Sequence, residues 1–337
     1  MSTVSIKDVA ERARVSPGTV SNTLNRPERV APETRERVQR AIRELGFVRH
    51  GSASTLRAGR SRSIGLCVLD IANPFFTDVA AGVEDVASDR GYAVILGNSA
   101  GSRAREDRNL LVLAEQRVMG VLITPAGEDP APLEALRERG IHAVLLDHAA
   151  HRPDQCSVAV DDIAGGLLAT RHLLDTGTER IAYVTGPLGI RQCHERQEGM
   201  RRALRERGMR GRVAEIVMPE MNARNGQRAA EKLVSGPLPD AVFCANDLLA
   251  LGVLRGLLQA GVRVPDDVAL IGYDDIEFAA ASAVTLSSIR QPTYQLGRIA
   301  TELLLDECDN PGGHAHQQIM FQPELVIRES SMRTFHV

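Results

Sequence analysis

Few residues of this chain stand at spacings that bond-making chemistry requires. There is no G-x-S-x-G turn for a nucleophile, no complete phosphate-binding loop and no histidine cluster at metal-ligand spacing. Gly186-Pro187-Leu188-Gly189 has the glycines of a phosphate loop but neither its Lys nor its full spacing. Five cysteines, at 67, 156, 193, 244 and 308, include no CxxC pair, and most lie in apolar runs such as 65–69 and 242–244. Buried reduced thiols are expected of them rather than metal ligands or disulfides. His314 and His316 stand in the Gly-containing stretch 310–316, where solvent exposure is expected. Neither catalysis, a bound metal nor a cofactor is therefore expected. What remains is hydrogen-bonding recognition. Hydroxyls and amides crowd residues 16–25, and isolated Asn, Arg and Asp residues follow apolar runs farther along.

The charge distribution separates these two groups. Residues 1–62 hold 13 Lys and Arg against 6 Asp and Glu, a net of +7, while the remainder holds 27 against 37, a net of −10. A basic segment on an acidic body points to a polyanion as the partner of that segment alone. With 337 residues, 43% of them hydrophobic, the chain can build a large core in two or three folding units. No run reaches the roughly 20 apolar residues of a membrane span. The start, MSTVSIKDVAERARV, lacks the apolar centre of a signal peptide, so a cytoplasmic protein with no membrane partner is expected.

The elements that must position these residues follow from periodicity and capping. Ser5 and Asp8 have capping-box spacing ahead of the stripe Ile6, Val9, Ala10, Ala13. Ser16-Pro17 starts a second helix, and Pro32 a third that turns Val38, Ala41, Ile42 and Leu45 inward and stops at Gly46. From Ser63 onward short apolar strands alternate with amphipathic helices, in one series to about 146 and a second from about 162 to 271, which predicts parallel sheets covered on both faces. Residues 289–337, with a helix over about 292–307 and late strand-like segments, are expected to complete the sheets.

Val9-Ala10 followed by Val15-Ser16-Pro17-Gly18-Thr19-Val20-Ser21 has helix-turn-helix spacing, in which the second helix enters the major groove of DNA. Through these residues, with Ile6-Lys7-Asp8, Leu24-Asn25, 34–38 and Leu45-Gly46-Phe47, the chain resembles the LacI/GalR family of repressors. The resemblance spans essentially the whole chain. It implies an all-α helix-turn-helix headpiece (1–49), a hinge (50–62) and a periplasmic-binding-protein-like α/β core (63–337). The core would comprise two doubly wound parallel-sheet subdomains, one of about 63–160 and 291–320, the other of about 161–290 and 321–337. The implied function is allosteric repression, with double-stranded operator DNA of palindromic sequence and a small sugar-like effector as partners of a homodimer.

The resemblance also assigns roles. Positions 17, 18 and 22 contact bases in the family. Pro17 and Gly18 offer no hydrogen-bonding side chain, so base reading rests on Asn22, which can pair bidentately with adenine, with Thr19, Ser21 and Asn25 beside it. Ser16, Thr34 and Arg35 are expected on phosphates, which position without specifying. In the hinge, Ala53 and Leu56 match the segment that becomes helical on DNA, Leu56 being the minor-groove wedge. Gly51 weakens that helix by about 1 kcal/mol.

In the core the likeness runs through 73–76, Val160-Asp161, 196–199, 245–247, 271–275 and 289–292. It implies a ligand between the subdomains, at strand C-terminal ends. Asn73, Phe75, Arg196, Met221, Asn246, Asp274 and Gln291 are the expected contacts: ionised Arg and Asp hold hydroxyls, and an aromatic face covers a sugar ring. Each has a structural alternative, Phe75 in the core and Asn246 and Asp274 as helix caps. Many relatives place an aromatic residue five positions before the Gly matching Gly226; here it is Met221, which cannot stack as a ring does.

Overall fold

The computed structural model describes residues 4–47, 61–209 and 213–332. They form two compact units that divide between Ser61 and Arg62. Most of the expected hinge, including Ala53 and Leu56, lies outside the described residues.

The N-terminal unit holds helices α1 (Ile6–Ala13), α2 (Pro17–Asn25) and α3 (Pro32–Leu45). The predicted capping box is present: Asp8 N–H donates to Ser5 Oγ, and Ser5 N–H to Asp8 Oδ2. Arg14, at φ 53°, ends α1 in a left-handed turn that lets α2 start three residues later. Val9, Ala10, Ala13, Val20, Val38 and Ala41 meet in one small core, and all but Val20 are anticipated from their spacing.

The second unit contains two parallel sheets. The first takes β1 (Ser63–Val68), β2 (Ala93–Asn98), β3 (Gly120–Ile123), β4 (His142–Leu146), β5 (Ser157–Val160) and, from near the chain end, β11 (Gln318–Phe321), in the order β11-β5-β4-β3-β1-β2. The second takes β6 (Ile181–Thr185), β7 (Val213–Val217), β8 (Ala241–Cys244) and β9 (Ala269–Ile271), in the order β7-β6-β8-β9. Between the strands run α4 (Pro74–Asp89), α5 (Arg103–Glu115), α6 (Ala131–Glu138), α7 (Asp162–Asp175), α8 (Arg191–Glu206), α9 (Ala223–Val234), α10 (Asp247–Gln259) and the short α11 (Glu277–Ala281). After β10 (Ser288–Arg290) come α12 (Thr293–Asp309), β11 and β12 (Glu324–Val326); β10 and β12 form a small antiparallel pair. The late segments thus do complete the folding, but only β11 joins a parallel sheet. The strand β5, absent from the sequence expectation, is four residues long and fully buried, so no alternation marks it.

In each sheet the chain steps one way from its first strand and then reverses, between β1 and β3 and between β6 and β8. Loops leaving these strands diverge there and open a crevice at their C-terminal ends. Glycine sets the distance between the helices beside it. A Cβ on Gly166 of α7 would lie 2.1 Å from the Arg196 carbonyl oxygen, and one on Gly199 of α8 2.1 Å from that of Ile163. This backbone-to-backbone approach brings Arg196 against the first turn of α7.

Candidate functional site

On α2, Pro17, Gly18, Ser21, Asn22 and Asn25 fall within an arc of about 140° at 3.6 residues per turn. Val20 and Thr23 face the core. Pro17, Gly18, Asn22 and Asn25 are exposed, and Thr19 and Ser21 half-buried. Ser16 Oγ accepts the Thr19 N–H at 3.1 Å, capping the helix, and sits 3.0 Å from Thr19 Oγ1. Asn25 turns back on its own helix, Nδ2 donating to the Ser21 carbonyl at 2.8 Å. Asn22 makes no side-chain hydrogen bond among the described residues, so both ends of its amide are available outward. Thr34 and Arg35 stand half-buried in the first turn of α3. The Asn22 amide has the donor and acceptor that a base edge would require, and the α2 hydroxyls and the Arg35 guanidinium on α3 are groups that could meet phosphates.

The second site is a cavity of about 280 Å³ in the crevice of the larger unit. From the first sheet, Asn73 and Phe75 follow β1 and Asp147 follows β4; from the second, Arg196 follows β6, Met221 follows β7, Asn246 follows β8 and Asp274 follows β9. Two pairs of residues that line the cavity hydrogen-bond across the crevice. Asn73 Nδ2 donates to Asp274 Oδ2 at 3.0 Å, and Gln192 Nε2 donates to the Asp147 carbonyl at 2.7 Å and to its Oδ2 at 2.9 Å. The two lobes are therefore latched by polar side chains that also line the cavity.

Arg196 is only 4% exposed and is held on several sides. Its Nε donates to Asp162 Oδ1 at 2.8 Å, its Nη1 to the Ala245 carbonyl at 2.6 Å, and its guanidinium lies 3.7 Å above the Tyr273 ring. Nη1 is 3.7 Å from Asp274 Oδ1. Nη2 makes no bond among the described residues. Asp274, at φ 104°, does not cap the following helix; it accepts from Asn73 and, at 2.8 Å, from Gln291 Nε2. Burial pushes its carboxyl up to about 6, against the pull of Arg196 and these donors. Burial also raises the Asp147 carboxyl well above the usual range. Asp147 Oδ1 and Gln192 Oε1 are buried with no hydrogen-bond partner among the described residues. A ligand hydroxyl entering here would find acceptors already desolvated, beside the free edge of a guanidinium.

The expected ligand residues thus converge, with differences. Phe75 is both things at once: buried in the first sheet's core, edge-on to Phe76 at 4.9 Å, and part of the cavity wall. Asn246 is a helix cap, Oδ1 accepting the Leu249 N–H at 2.9 Å while Nδ2 donates to the Met221 carbonyl. Met221 lines the cavity where the ring was in question, packed over Gly186, whose absent Cβ would come within 2.6 Å of it. Gln291, expected as a contact, does not line the cavity and reaches it only through Asp274. Asp147 and Gln192 were missed. The rule that found the others, a polar residue just past a strand, applies equally to Asp147 after Leu146.

Comparison with known proteins places the chain in a family. Residues 5–50 match the family described as bacterial regulatory proteins, lacI family, and residues 170–331 match a periplasmic binding protein-like domain. The chain is 35% identical over 329 residues to the ribose operon repressor of Escherichia coli K12, covering 97% of this chain and 99% of that one. It is 34% identical over 327 residues to the transcriptional repressor PurR of Photobacterium profundum, covering 96% and 98%. Among solved structures, the Lac repressor dimer bound to operator and the anti-inducer ONPF superposes with a TM-score of 0.84 at 27% identity, over 98% of this chain and all of the other.

Proposed function

The chain belongs to the LacI family of bacterial DNA-binding transcription regulators, and on that premise we propose that a polyhydroxylated, sugar-like effector in its cleft controls its hold on a palindromic operator. The observation that carries this is the pair of buried, unpartnered acceptors, Asp147 Oδ1 and Gln192 Oε1, beside Arg196. An apolar ligand would leave them unsatisfied, at about 1–3 kcal/mol each. A ligand rich in hydroxyls satisfies them. The relatives whose names refer to ribose and to ONPF support the same class.

The crossing bonds Asn73–Asp274 and Gln192–Asp147 supply the switch. A ligand that replaces or strengthens them changes the balance between closed and open lobes, and with it the operator affinity. The protein acts as a homodimer: Leu96 on edge strand β2, with Leu111 and Val112 on the neighbouring α5, presents exposed apolar side chains at one sheet edge. Its work is regulatory rather than catalytic, carried out beside DNA in the cytoplasm.

Melting of the full chain against pentoses, hexoses, disaccharides and polyols tests the ligand class, since binding only the folded state raises Tm. A hit should also change the fluorescence anisotropy of a labelled operator selected from random DNA. No shift with any hydroxyl-rich compound, alongside a shift with an apolar one, would overturn the proposal.

A further inference from the structure

A second cluster lies at the opposite end of the first sheet. Cys156 immediately precedes β5, Glu307 stands in the last turn of α12, and His314 and His316 occupy the loop leading into β11. One donor atom from each of the four lies within 4.8 Å of one from every other. Cys156 Sγ is 3.1 Å from His314 Nε2 and 3.7 Å from His316 Nδ1. This differs from the sequence expectation of solvent-facing histidines and no metal-spaced cluster: the His314 side chain is only 2% exposed, although His316 is exposed. No sequence spacing signals the cluster, because its donors come from three separate segments.

We propose that Cys156, Glu307, His314 and His316 form a tetrahedral site for a divalent zinc-class ion. The donor set is the mixture of thiolate, imidazole and carboxylate that zinc takes. At zinc bond lengths a tetrahedral S···N edge is about 3.6 Å, and the two sulfur-to-nitrogen distances bracket it. Thiolate and carboxylate together balance the ion's charge. The outer groups are in place as well. Asp306 Oδ2 accepts from His314 Nδ1 at 2.6 Å, which leaves Nε2 as the lone-pair nitrogen facing the sulfur. His142 Nδ1 lies 2.9 Å from Glu307 Oε1, while Glu307 Oε2 is buried and has no hydrogen-bond partner among the described residues. The backbone N–H of Gln317 donates to Cys156 Sγ at 3.3 Å, as it would to a thiolate. A separate cavity of about 270 Å³, lined in part by Glu307 and His316, gives access from solvent. Binding would release the thiol proton to solvent and tie the end of α12 to the starts of β5 and β11, fastening the edge strand.

The test uses the full chain, stripped with EDTA and desalted, then titrated with CoCl2 and, separately, with ZnCl2 against a chromophoric chelator. One equivalent of Co(II) should bind with the visible bands of tetrahedral cobalt and a thiolate-to-cobalt charge-transfer band. Zn(II) should displace it and raise Tm. Cys156→Ser should abolish the charge-transfer band. His316→Asn, at an exposed position that the fold tolerates, should weaken Zn(II) binding and remove the Tm rise even if the cysteine variant fails to fold. Asp306→Asn should weaken it by about 10–100-fold, as loss of a carboxylate behind a ligating histidine does. No charge-transfer band in the unmodified chain, or Zn(II) affinity unchanged in His316→Asn, would overturn the site.

Discussion

Replacing Asp274 by Asn should stabilise the ligand-free protein at neutral pH while damaging its response to effector. The ordinary carboxyl value is 3.8 and the folded value about 6, raised chiefly by burial. A difference of that size corresponds to about 3 kcal/mol of destabilisation once the group is fully ionised, at about 1.36 kcal/mol per pH unit. The sign follows from proton counting. Between the two values the folded chain holds more protons than the unfolded one, so this group's contribution makes stability fall as pH rises through that window. By the same linkage about half of that loss falls between pH 5 and 7.5. Asn removes the ionisation. It also suits the backbone, since φ is 104° here and Asn tolerates positive φ better than most residues. Its amide N–H groups would meet Gln291, whose Oε1 lacks a partner among the described residues and can accept after an amide flip. Urea unfolding of both proteins at pH 5 and 7.5 reads the difference directly, because other titrating groups are common to both. Equal pH slopes, or a variant less stable at pH 7.5, would refute the reasoning. Effector affinity should drop by about 10–150-fold, the loss of a hydrogen bond to a charged group, and in the unmodified protein it should weaken as pH falls below about 6.

Arg196→Ala leaves Asp162 buried without its partner and should destabilise the core by about 3–5 kcal/mol; chemical denaturation measures this, and Asp162→Asn in the same chain should recover part of it. Gly166→Ala forces a Cβ against the Arg196 carbonyl and should lower stability by about 1–3 kcal/mol, with loss of effector-induced melting shifts as its second readout. Asn22→Ala should lose about 1–3 kcal/mol on the best operator and relax preference at one base pair per half-site, whereas Arg35→Ala should weaken all sequences alike. Selection from random DNA distinguishes the two outcomes.

How much of this was legible in the chain depends on how far apart the interacting residues lie. The headpiece could be read almost completely. Its caps, Ser5 with Asp8 and Ser16 with Thr19, act over three residues, and its inward stripe repeats at helical spacing. The alternation of strands and helices in the core was equally plain, because burial on one or both faces sets a local period. Asn73, Arg196 and Asp274 could be picked as polar residues following strands, but not what they bond to. That Asn73 latches Asp274, 201 residues away, depends on two sheets being brought together. Gln291 sits behind Asp274 rather than in the cavity for the same reason. Asp147 and Gln192 meet across the crevice with no spacing to announce them. Cys156 lies in a run that reads as a buried thiol, which it is, yet it faces two histidines 158 and 160 residues farther on. Periodicity and capping are local physics and survive in one dimension. Partnerships among buried polar groups exist only once packing has removed water and left each group to find its partner in space.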